Sequence, residues 1–272
     1  MPGSDLNDRR PAQPVQSATG HELSPLLGRA GFRHAFFTRL GGASEGPFES
    51  LSFSTAVGDD PRHVDENLRR AAALLDVDSE QILYLSQVHG AEARFYRDVT
   101  ERAQTITLEG DAIGGIAANC AYGVRSADCV PVLLADETSG AVMAIHAGWR
   151  GVVAGAVESG VACLRENIGG TGRLLAAVGP HISLAAFEVS ADVAAELAAA
   201  CPLAGAVSYE GFPKPHVDLR FIVTQKLLAL GLTEANVDQV GGCTLLEPRR
   251  YFSFRRDGKR SGRHLSAIVP RP

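Results

Sequence analysis

The chain has 272 residues, of which 45% are hydrophobic and 21% are charged, and its 26 Lys and Arg against 31 Asp and Glu give a formal net charge of −5. These values are typical of a folded globular protein and exclude collagen-like, coiled-coil and wholly disordered chains. The mild acidity also excludes a general nucleic-acid binder, because such proteins carry a basic field.

The first residues differ in composition from the rest of the chain. Residues 1–25 are rich in Pro, Gln, Ser and Asp and poor in large apolar groups, which predicts a flexible N-terminal tail. No composition break divides residues 26–272, so we expect a single domain there. The N-terminus lacks the apolar run of a signal peptide, and no segment reaches about 18 unbroken apolar residues. We therefore expect a cytoplasmic protein without a membrane partner.

Apolar periodicity predicts the elements that follow. Strands are predicted, in chain order, over residues 32–38, 82–88, 93–99, 121–125, 130–135, 141–146, 174–178, 251–254 and 264–269. Helices are predicted over residues 61–75, 151–167, 191–200 and 219–230, where apolar residues recur at helical spacing. Asp59-Asp60, Ser190 and Asp218 are predicted to cap the first, third and fourth of these helices. Residues 136–140 (DETSG) predict a hairpin loop. Because strands outnumber helices and no G-x-G-x-x-G follows a first strand, we expect an α/β (α+β) fold of mixed β-sheets flanked by helices.

The cysteines argue for a reducing compartment. There are five of them: Cys120, Cys129, Cys163, Cys201 and Cys243. Their odd number, their wide spacing and the lack of a C-x-x-C pair predict free thiols and exclude a zinc ribbon.

Three apolar segments lead to a side chain that binds soft metals. They are ILYLSQVHG, which reaches His89, AYGVRSADC, which ends at Cys129, and AVMAIHAGWRG, which contains His146. Cys129 and His146 flank the predicted hairpin, so both side chains are expected at the same end of neighbouring strands, where clefts open. His89 comes from a separate strand and completes a three-cornered site.

Two imidazoles and one thiolate suit Zn²⁺, and three protein ligands leave the fourth position for water, as in catalytic zinc sites. The metal would lower the pKa of that water toward neutrality. Trp149 and Arg150 follow His146 and would give the site an aromatic wall and a cation. Asp128 is a candidate to orient a liganding imidazole.

Other interpretations of these residues stay open. A single buried cysteine is more often a small core hydrophobe than a ligand, and the HAGWRG turn also fits an anion site at a helix N-terminus. Arg39, Arg255 and Arg256 lie beside glycines or turns, where a guanidinium clamps phosphate or carboxylate. The alternative for the basic run 255–263 is a solvated loop. His181 is either an extra acid or base or an ordinary loop histidine.

The segments QVHG, SADCVPVLLAD and AIHAGWRG together resemble the signature of the YfiH-like, laccase-domain-containing family, also called the polyphenol oxidase family. FTRLGGASEGPFESL, GDDPRHVDEN, EGDAIGG, VGPHI and YFSFRR occur with them in the family's order. The resemblance implies a sandwich of mixed sheets and helices, related to a bacterial toxin with a Cys-His deamidating centre. It also implies one zinc ion held at a catalytic triad of His89, Cys129 and His146.

The resemblance further implies a purine nucleoside enzyme. Such enzymes cleave adenosine, inosine and S-methyl-5′-thioadenosine with phosphate to give free base and (methylthio)ribose 1-phosphate, and they deaminate adenosine to inosine. Four residues are then candidates for binding substrate or phosphate: Arg39, Arg150, Arg255 and Asp128. The chain departs from the family pattern at four positions, where specificity can shift: Ser52, Ser54, Leu68 and Ser183.

The family was first described as copper-dependent laccase, and the same three donors also accept Cu²⁺. A multicopper oxidase needs about ten His and Cys ligands in H-x-H and H-C-H clusters. The chain has eight scattered histidines and no H-x-H, so genuine multicopper oxidation is not expected. Two other classes stay open. One is a zinc-free thiol enzyme with Cys129 as nucleophile and His146 as base. The other is a peptidoglycan-editing factor, a role to which bacterial relatives are linked.

Overall fold

A computed structural model describes residues 20–170 and 172–272 of the chain. Within these residues the strands are β1 (His21–Glu22), β2 (His34–Phe37), β3 (Ile82–Leu83), β4 (Ala93–Tyr96), β5 (Ala112–Gly115), β6 (Ala121–Ser126), β7 (Val130–Asp136), β8 (Val142–Ala147), β9 (Leu174–Val178), β10 (Val207–Ser208), β11 (His216–Val217), β12 (Val237–Gln239) and β13 (His264–Ile268). The α-helices are α1 (Pro25–Arg29), α2 (Pro61–Leu75), α3 (Arg102–Thr105), α4 (Trp149–Ala154), α5 (Ala156–Ile168), α6 (Ala191–Ala200), α7 (Leu219–Ala229) and α8 (Phe254–Asp257).

The tail predicted over residues 1–25 lies mostly outside the described residues. Of its last six residues, His21–Glu22 belong to a strand and Pro25 begins a helix. Regular structure therefore starts earlier than the predicted boundary at residue 26.

Six strands form the first sheet, in the order β12-β9-β7-β8-β5-β4. At its centre β7 pairs antiparallel with both β8 and β9, whereas the outer pairs β12–β9 and β4–β5 are parallel. The sheet is therefore mixed. The predicted hairpin at DETSG is confirmed, because it joins β7 directly to its neighbour β8.

Five strands form the second sheet, in the order β1-β2-β13-β6-β3. Only β3 and β6 run parallel in this sheet, and the other neighbours are antiparallel. β10 and β11 make a separate antiparallel pair.

The burial of β7 shows how the layers pack. Leu133 belongs to the apolar cluster that also contains Tyr122 of the second sheet, whereas its neighbour Val132 belongs to the cluster that contains Val161 of α5. Alternate residues of a strand point to opposite faces, so the two sheets pack face to face. Helices α5, α6 and α7 cover the outer face of the first sheet, and α2 covers the second through residues such as Leu68. The predicted mixed sheets flanked by helices are confirmed.

Two helix starts follow the predicted capping chemistry. The Asp60 carboxylate accepts from the Arg62 N–H at the start of α2, and Asp218 accepts from the Phe221 N–H at the start of α7. Ser190 precedes α6 as predicted, but its side chain makes no capping hydrogen bond.

The helix predicted over residues 151–167 is wrong as one element. Gly155 has φ of 88°, which ends α4 and lets α5 begin at Ala156 in a new direction. This left-handed conformation carries little cost for glycine and breaks the helical hydrogen-bond ladder.

Two predicted strands also differ. The strand over residues 82–88 is only two residues long, because the chain leaves the sheet before the turn at His89. The strand predicted over residues 251–254 is wrong: Ser253 is the N-cap of α8 and accepts from the Arg256 N–H.

None of the helices in the described ranges combines the length and apolar character that a membrane span requires. All five cysteines are unpaired.

Candidate metal centre and active site

His89, Cys129 and His146 come together at one end of the sandwich. The antiparallel register places Pro131 of β7 opposite His146 of β8, so Cys129, just before β7, lies at the same end as His146. His89 lies in the turn after β3, with φ of 60°. The predicted convergence of the three side chains is therefore present in the structure.

The donor atoms of the three side chains lie within 4.8 Å of one another. Cys129 Sγ is 3.8 Å from His89 Nε2, and the two imidazole rings meet edge to face with centroids 4.9 Å apart. Zinc bond lengths of about 2.0 Å to nitrogen and 2.3 Å to sulfur give a separation of about 3.5 Å between tetrahedral ligands. His146 is buried while His89 is exposed, so the cluster is open on one side, as a catalytic site requires.

Asp111 holds the His146 side chain and the backbone of the turn that carries His89, and the sequence alone predicted no role for it. His146 Nδ1 donates to Asp111 Oδ1 at 2.8 Å. The backbone N–H groups of Val88, His89 and Gly90 donate to the same carboxylate. Because Nδ1 of His146 is occupied, Nε2 remains for a metal.

A signal for Asp111 was present in the sequence. It lies in EGDAIGG, directly before a strand of small buried residues, and an acid in such a place needs partners. Asp128, the residue predicted to orient an imidazole, has other partners: its carboxylate accepts from Thr244 Oγ1 and from the Arg255 N–H.

The thiol of Cys129 and the imidazole of His146 change each other's ionisation. Burial alone would raise the pKa of Cys129, but the charge of His146 and hydrogen bonds from both imidazoles lower it to about 6. Burial alone would lower the pKa of His146, but the Cys129 thiolate and the Asp111 carboxylate raise it to about 9. Without a metal, the pair favours thiolate and imidazolium at neutral pH, and thiolate is the form that binds metal or acts as a nucleophile.

Gly148 allows the cluster to be this compact. A Cβ at this position would lie 2.8 Å from His89 Cδ2 and 2.9 Å from Cys129 Sγ. The first glycine of HAGWRG is therefore required by the close approach of the His89 and Cys129 side chains.

The triad opens into a cavity of about 830 Å³. Its apolar wall is formed mainly by Trp149, Ile182, Phe187, Val189 and Phe254. Its positively charged lining consists of Arg125, Arg150, Lys214, Arg255 and Arg263. A cavity with an apolar wall, several cations and a His-Cys-His cluster that could hold a metal suits a flat, apolar ring system that carries an anion or binds next to one.

The candidate arginines divide into two groups. Arg150 and Arg255 line the cavity. Arg39 does not: its guanidinium donates to the carbonyl oxygens of Glu49 and Pro248 and lies over a phenylalanine ring. Arg256 likewise donates to backbone carbonyl oxygens, including that of Tyr251.

His181 lies outside the cavity lining and is buried. Its Nδ1 donates to the Gly179 carbonyl oxygen. Burial and the nearby charge of Arg220 lower the pKa of His181 to about 3, which fits a neutral structural histidine.

The chain is similar in sequence to known bacterial proteins over most of its length. A family model described as multi-copper polyphenol oxidoreductase laccase matches residues 33–271. The protein named purine nucleoside phosphorylase ORF3 of Streptomyces griseus is 37% identical over 237 residues, covering 87% of this chain and 93% of the relative. Purine nucleoside phosphorylase YfiH of Escherichia coli is 35% identical over 242 residues, covering 85% of this chain and 90% of the relative.

Solved structures agree with the fold. YlmD from Geobacillus stearothermophilus superposes with a TM-score of 0.85 at 29% identity, covering 94% of this chain and 98% of that one. The hypothetical protein YfiH of Bacillus licheniformis superposes with a TM-score of 0.86 at 25% identity, covering 95% and 99%.

Proposed function

Because this chain belongs to the family described as multi-copper polyphenol oxidoreductase laccase, we propose that it is a metal-dependent purine nucleoside phosphorylase, the activity for which its relatives are named. The observation that carries the proposal is the His89–Cys129–His146 cluster at the wall of a cavity with apolar and cationic linings. We propose adenosine, inosine and S-methyl-5′-thioadenosine as substrates, deamination of adenosine as a second reaction, and the cytoplasm as the location.

The donor set fits Zn²⁺ as resident metal. Two imidazoles and a thiolate with an open side match the ligands of catalytic zinc sites, and a Cβ at Gly148 would fill the space that the ligands need. Cu²⁺ accepts the same donors. When bound, the metal supplies Lewis acidity, which lowers the pKa of a water or hydroxyl group beside it.

In phosphorolysis, the residues of the chain bind and orient the nucleoside and the phosphate. A phosphate oxygen forms a bond to C1′ of the ribose while the bond from C1′ to purine N9 breaks. The electron pair stays with the purine, which takes up the proton that the phosphate brings. Trp149 and Phe187 offer apolar faces to the purine, the cations of the cavity attract phosphate, and Asp111 holds His146 in place.

Multicopper oxidation is not part of the proposal, although the family description mentions it. Within the described residues, the cluster of His89, Cys129 and His146 is the only group of three His, Cys, Asp or Glu with metal-binding geometry. A blue-copper site and a trinuclear centre together need about ten ligands.

A thiol enzyme is the second candidate, favoured by the lowered pKa of Cys129 beside His146. In that case Cys129 would attack an electrophilic carbon and His146 would carry the proton. Metal analysis separates the two candidates. Full activity in a metal-free preparation would support the thiol enzyme, and activity that requires about one zinc ion per chain would support the metalloenzyme.

The deciding experiment incubates zinc-loaded protein with adenosine, and separately with inosine, with and without phosphate, and separates the products by chromatography. Adenine that forms only with phosphate indicates phosphorolysis, and inosine without phosphate indicates deamination. Hypoxanthine that requires phosphate indicates both reactions in sequence. No product from adenosine or inosine would refute the proposal and favour a binding role such as peptidoglycan editing.

A further inference from the structure

Two arginines approach the metal cluster from the second sheet. Arg125 lies on β6, which leads directly into Cys129, and Arg263 stands immediately before the neighbouring strand β13. In the pairing of these strands Arg125 lies opposite Leu265. Both arginines are partly buried and line the cavity.

Among residues 20–170 and 172–272, no acidic side chain pairs with Arg125. Its guanidinium donates to the carbonyl oxygens of Phe53 and Leu85, both at 3.5 Å, and it lies over the Tyr84 ring at 4.2 Å. Hydrogen bonds of that length are weak, and the described part of the chain offers it no carboxylate. Arg125 is therefore held by ring stacking with much of its donor capacity unused.

Arg263 is held in a similar way. Its Nη1 donates to the carbonyl oxygens of Ser261 and Gly262. Within residues 20–170 and 172–272, its Nε and Nη2 have no hydrogen-bond acceptor. Its backbone N–H donates to Ser52 Oγ at 3.4 Å. The Arg263 side chain is thus fixed on one side, and two of its three nitrogens are available to a ligand.

The charge of Arg125 acts on the Arg263 guanidinium. Burial lowers the pKa of Arg263, the Cys129 thiolate raises it, and the like charge of Arg125 lowers it. Asp128 also acts on Arg263, but its carboxylate already accepts two hydrogen bonds. Two partly desolvated like charges repel each other, and an anion bound by both would offset that repulsion.

Lys214 and Arg255, two other cations of the cavity, are less suited to an anion. Lys214 forms an ion pair with Glu188 at 2.8 Å, and Arg255 donates to the Glu188 carbonyl oxygen. A dianion placed there would face the Glu188 carboxylate. Arg125 and Arg263 combine available donors with positions on β6, which leads into Cys129, and next to its neighbour β13.

We propose that Arg125 and Arg263 bind the inorganic phosphate that is the co-substrate. This inference rests on the proposed phosphorolysis and deepens it by naming the phosphate subsite. The arginines would hold the dianion beside the metal cluster so that one free oxygen faces C1′ of the nucleoside. In the step, that oxygen bonds to C1′, the bond from C1′ to N9 breaks, and the proton of the phosphate passes to the purine.

The test uses full-length zinc-loaded protein with Arg263→Gln, Arg125→Gln and Arg125→Lys. We expect Arg263→Gln and Arg125→Gln to raise the KM for phosphate about tenfold or more while the KM for inosine changes by less than about twofold. Arg125→Lys keeps the positive charge but loses the planar guanidinium that can donate two parallel hydrogen bonds to phosphate. We therefore expect it to raise the KM for phosphate less than Arg125→Gln does. The control is Arg249→Gln, an exposed arginine outside the cavity, which should leave both KM values unchanged.

Calorimetric titration of the same proteins with inorganic phosphate gives a readout that does not depend on turnover. If wild type binds phosphate, folded Arg263→Gln binds it more weakly and no phosphorolysis occurs, the proposed function fails and the subsite stands. An unchanged KM and affinity for phosphate in folded Arg263→Gln and Arg125→Gln would overturn the subsite. Loss of inhibition by a nucleoside 5′-monophosphate with an unchanged phosphate KM would assign the arginines to a nucleotide and also overturn it.

Discussion

His146 Nδ1 donates to the carboxylate of Asp111 at 2.8 Å, and the backbone N–H of His146 donates to the carbonyl oxygen of the same residue at 2.7 Å. One residue therefore fixes both the main chain and the ring orientation of a buried candidate ligand. The hydrogen bonds from His146 and from the turn at 88–90 outweigh the effect of burial and lower the pKa of Asp111, so this carboxylate is ionised at neutral pH.

Asp111→Asn is expected to weaken metal binding about 10- to 100-fold, as does loss of a hydrogen-bond partner of a liganding imidazole. The amide is neutral and presents one oxygen where the carboxylate presents two, so it cannot serve His146 and three backbone N–H groups equally well. The measurement is zinc content after equilibration against a series of chelator concentrations.

Asp136→Asn is the matched control for Asp111→Asn, because Asp136 is also a fully buried acid of the first sheet but lies at the far end of β7. Its replacement should leave zinc affinity unchanged. Equal zinc affinity in wild type and Asp111→Asn would show that Asp111 does not position the ligand.

Cys129→Ala should abolish stable zinc binding, because it removes the one thiolate of the cluster. Zinc per chain is measured by elemental analysis after gel filtration, and phosphorolysis is measured on the same samples. The control is Cys163→Ala, which changes a partly buried cysteine of α5 outside the cavity. Retention of zinc by folded Cys129→Ala would place the metal elsewhere.

Gly148→Ala should lower zinc affinity by about tenfold or more, since the new methyl group would meet Cys129 Sγ and the His89 ring at under 3 Å and displace them. Gly28→Ala, in α1, is the control because a methyl group there meets no atom within 4 Å. Chelator competition and thermal unfolding of both variants separate loss of metal from loss of stability. Normal zinc affinity in Gly148→Ala would mean that the ligands have more space than the structure gives them.

Stability should fall on acidification, in part through His264. Burial lowers the pKa of His264 to about 3, against 6.5 as its ordinary value, so between these values the unfolded chain binds a proton that the native chain does not. The free energy of unfolding is therefore lowered by His264 as the pH falls from 6.5 toward 3, by up to about 1.4 kcal/mol per pH unit. Above pH 6.5 His264 is neutral in both states and this destabilisation is absent.

His264→Gln tests this pH dependence, because Gln offers the Phe252 N–H an acceptor, as Nε2 of His264 does at 2.8 Å, without titrating. Urea unfolding of metal-free protein at several pH values between about 5 and 7 should show a smaller slope for the variant than for wild type. Identical slopes would show that His264 is not kept neutral by the fold.

The sequence was sufficient to predict that the two candidate ligands at the hairpin lie together. Cys129 and His146 flank a hairpin of two strands at the end away from its loop, and antiparallel pairing then fixes their proximity. The mixed sheets and the capped helix α2 were predictable for the same reason, since apolar period and capping residues act locally.

The parts that sequence could not predict depend on distant contacts. Asp111 meets His146 only because β5 pairs with β8, and Arg125 and Arg263 line the same cavity only because β6 pairs with β13. The predicted role of Arg39 rested on nearby glycines, whereas its position follows from the carbonyl groups of a remote loop around Pro248. Local sequence pattern identifies a side chain with suitable chemistry, whereas the pairing of distant strands determines which other side chains lie beside it.

The attachment of the turn at residues 88–90 to Asp111 has a consequence for how a metal would bind. Its three N–H groups already donate to that carboxylate, and the other two candidate ligands, Cys129 and His146, lie at the same end of the paired strands β7 and β8. Binding would then order little of the chain, so the entropic cost of association is small and the three donors meet an incoming ion as a preformed receptor.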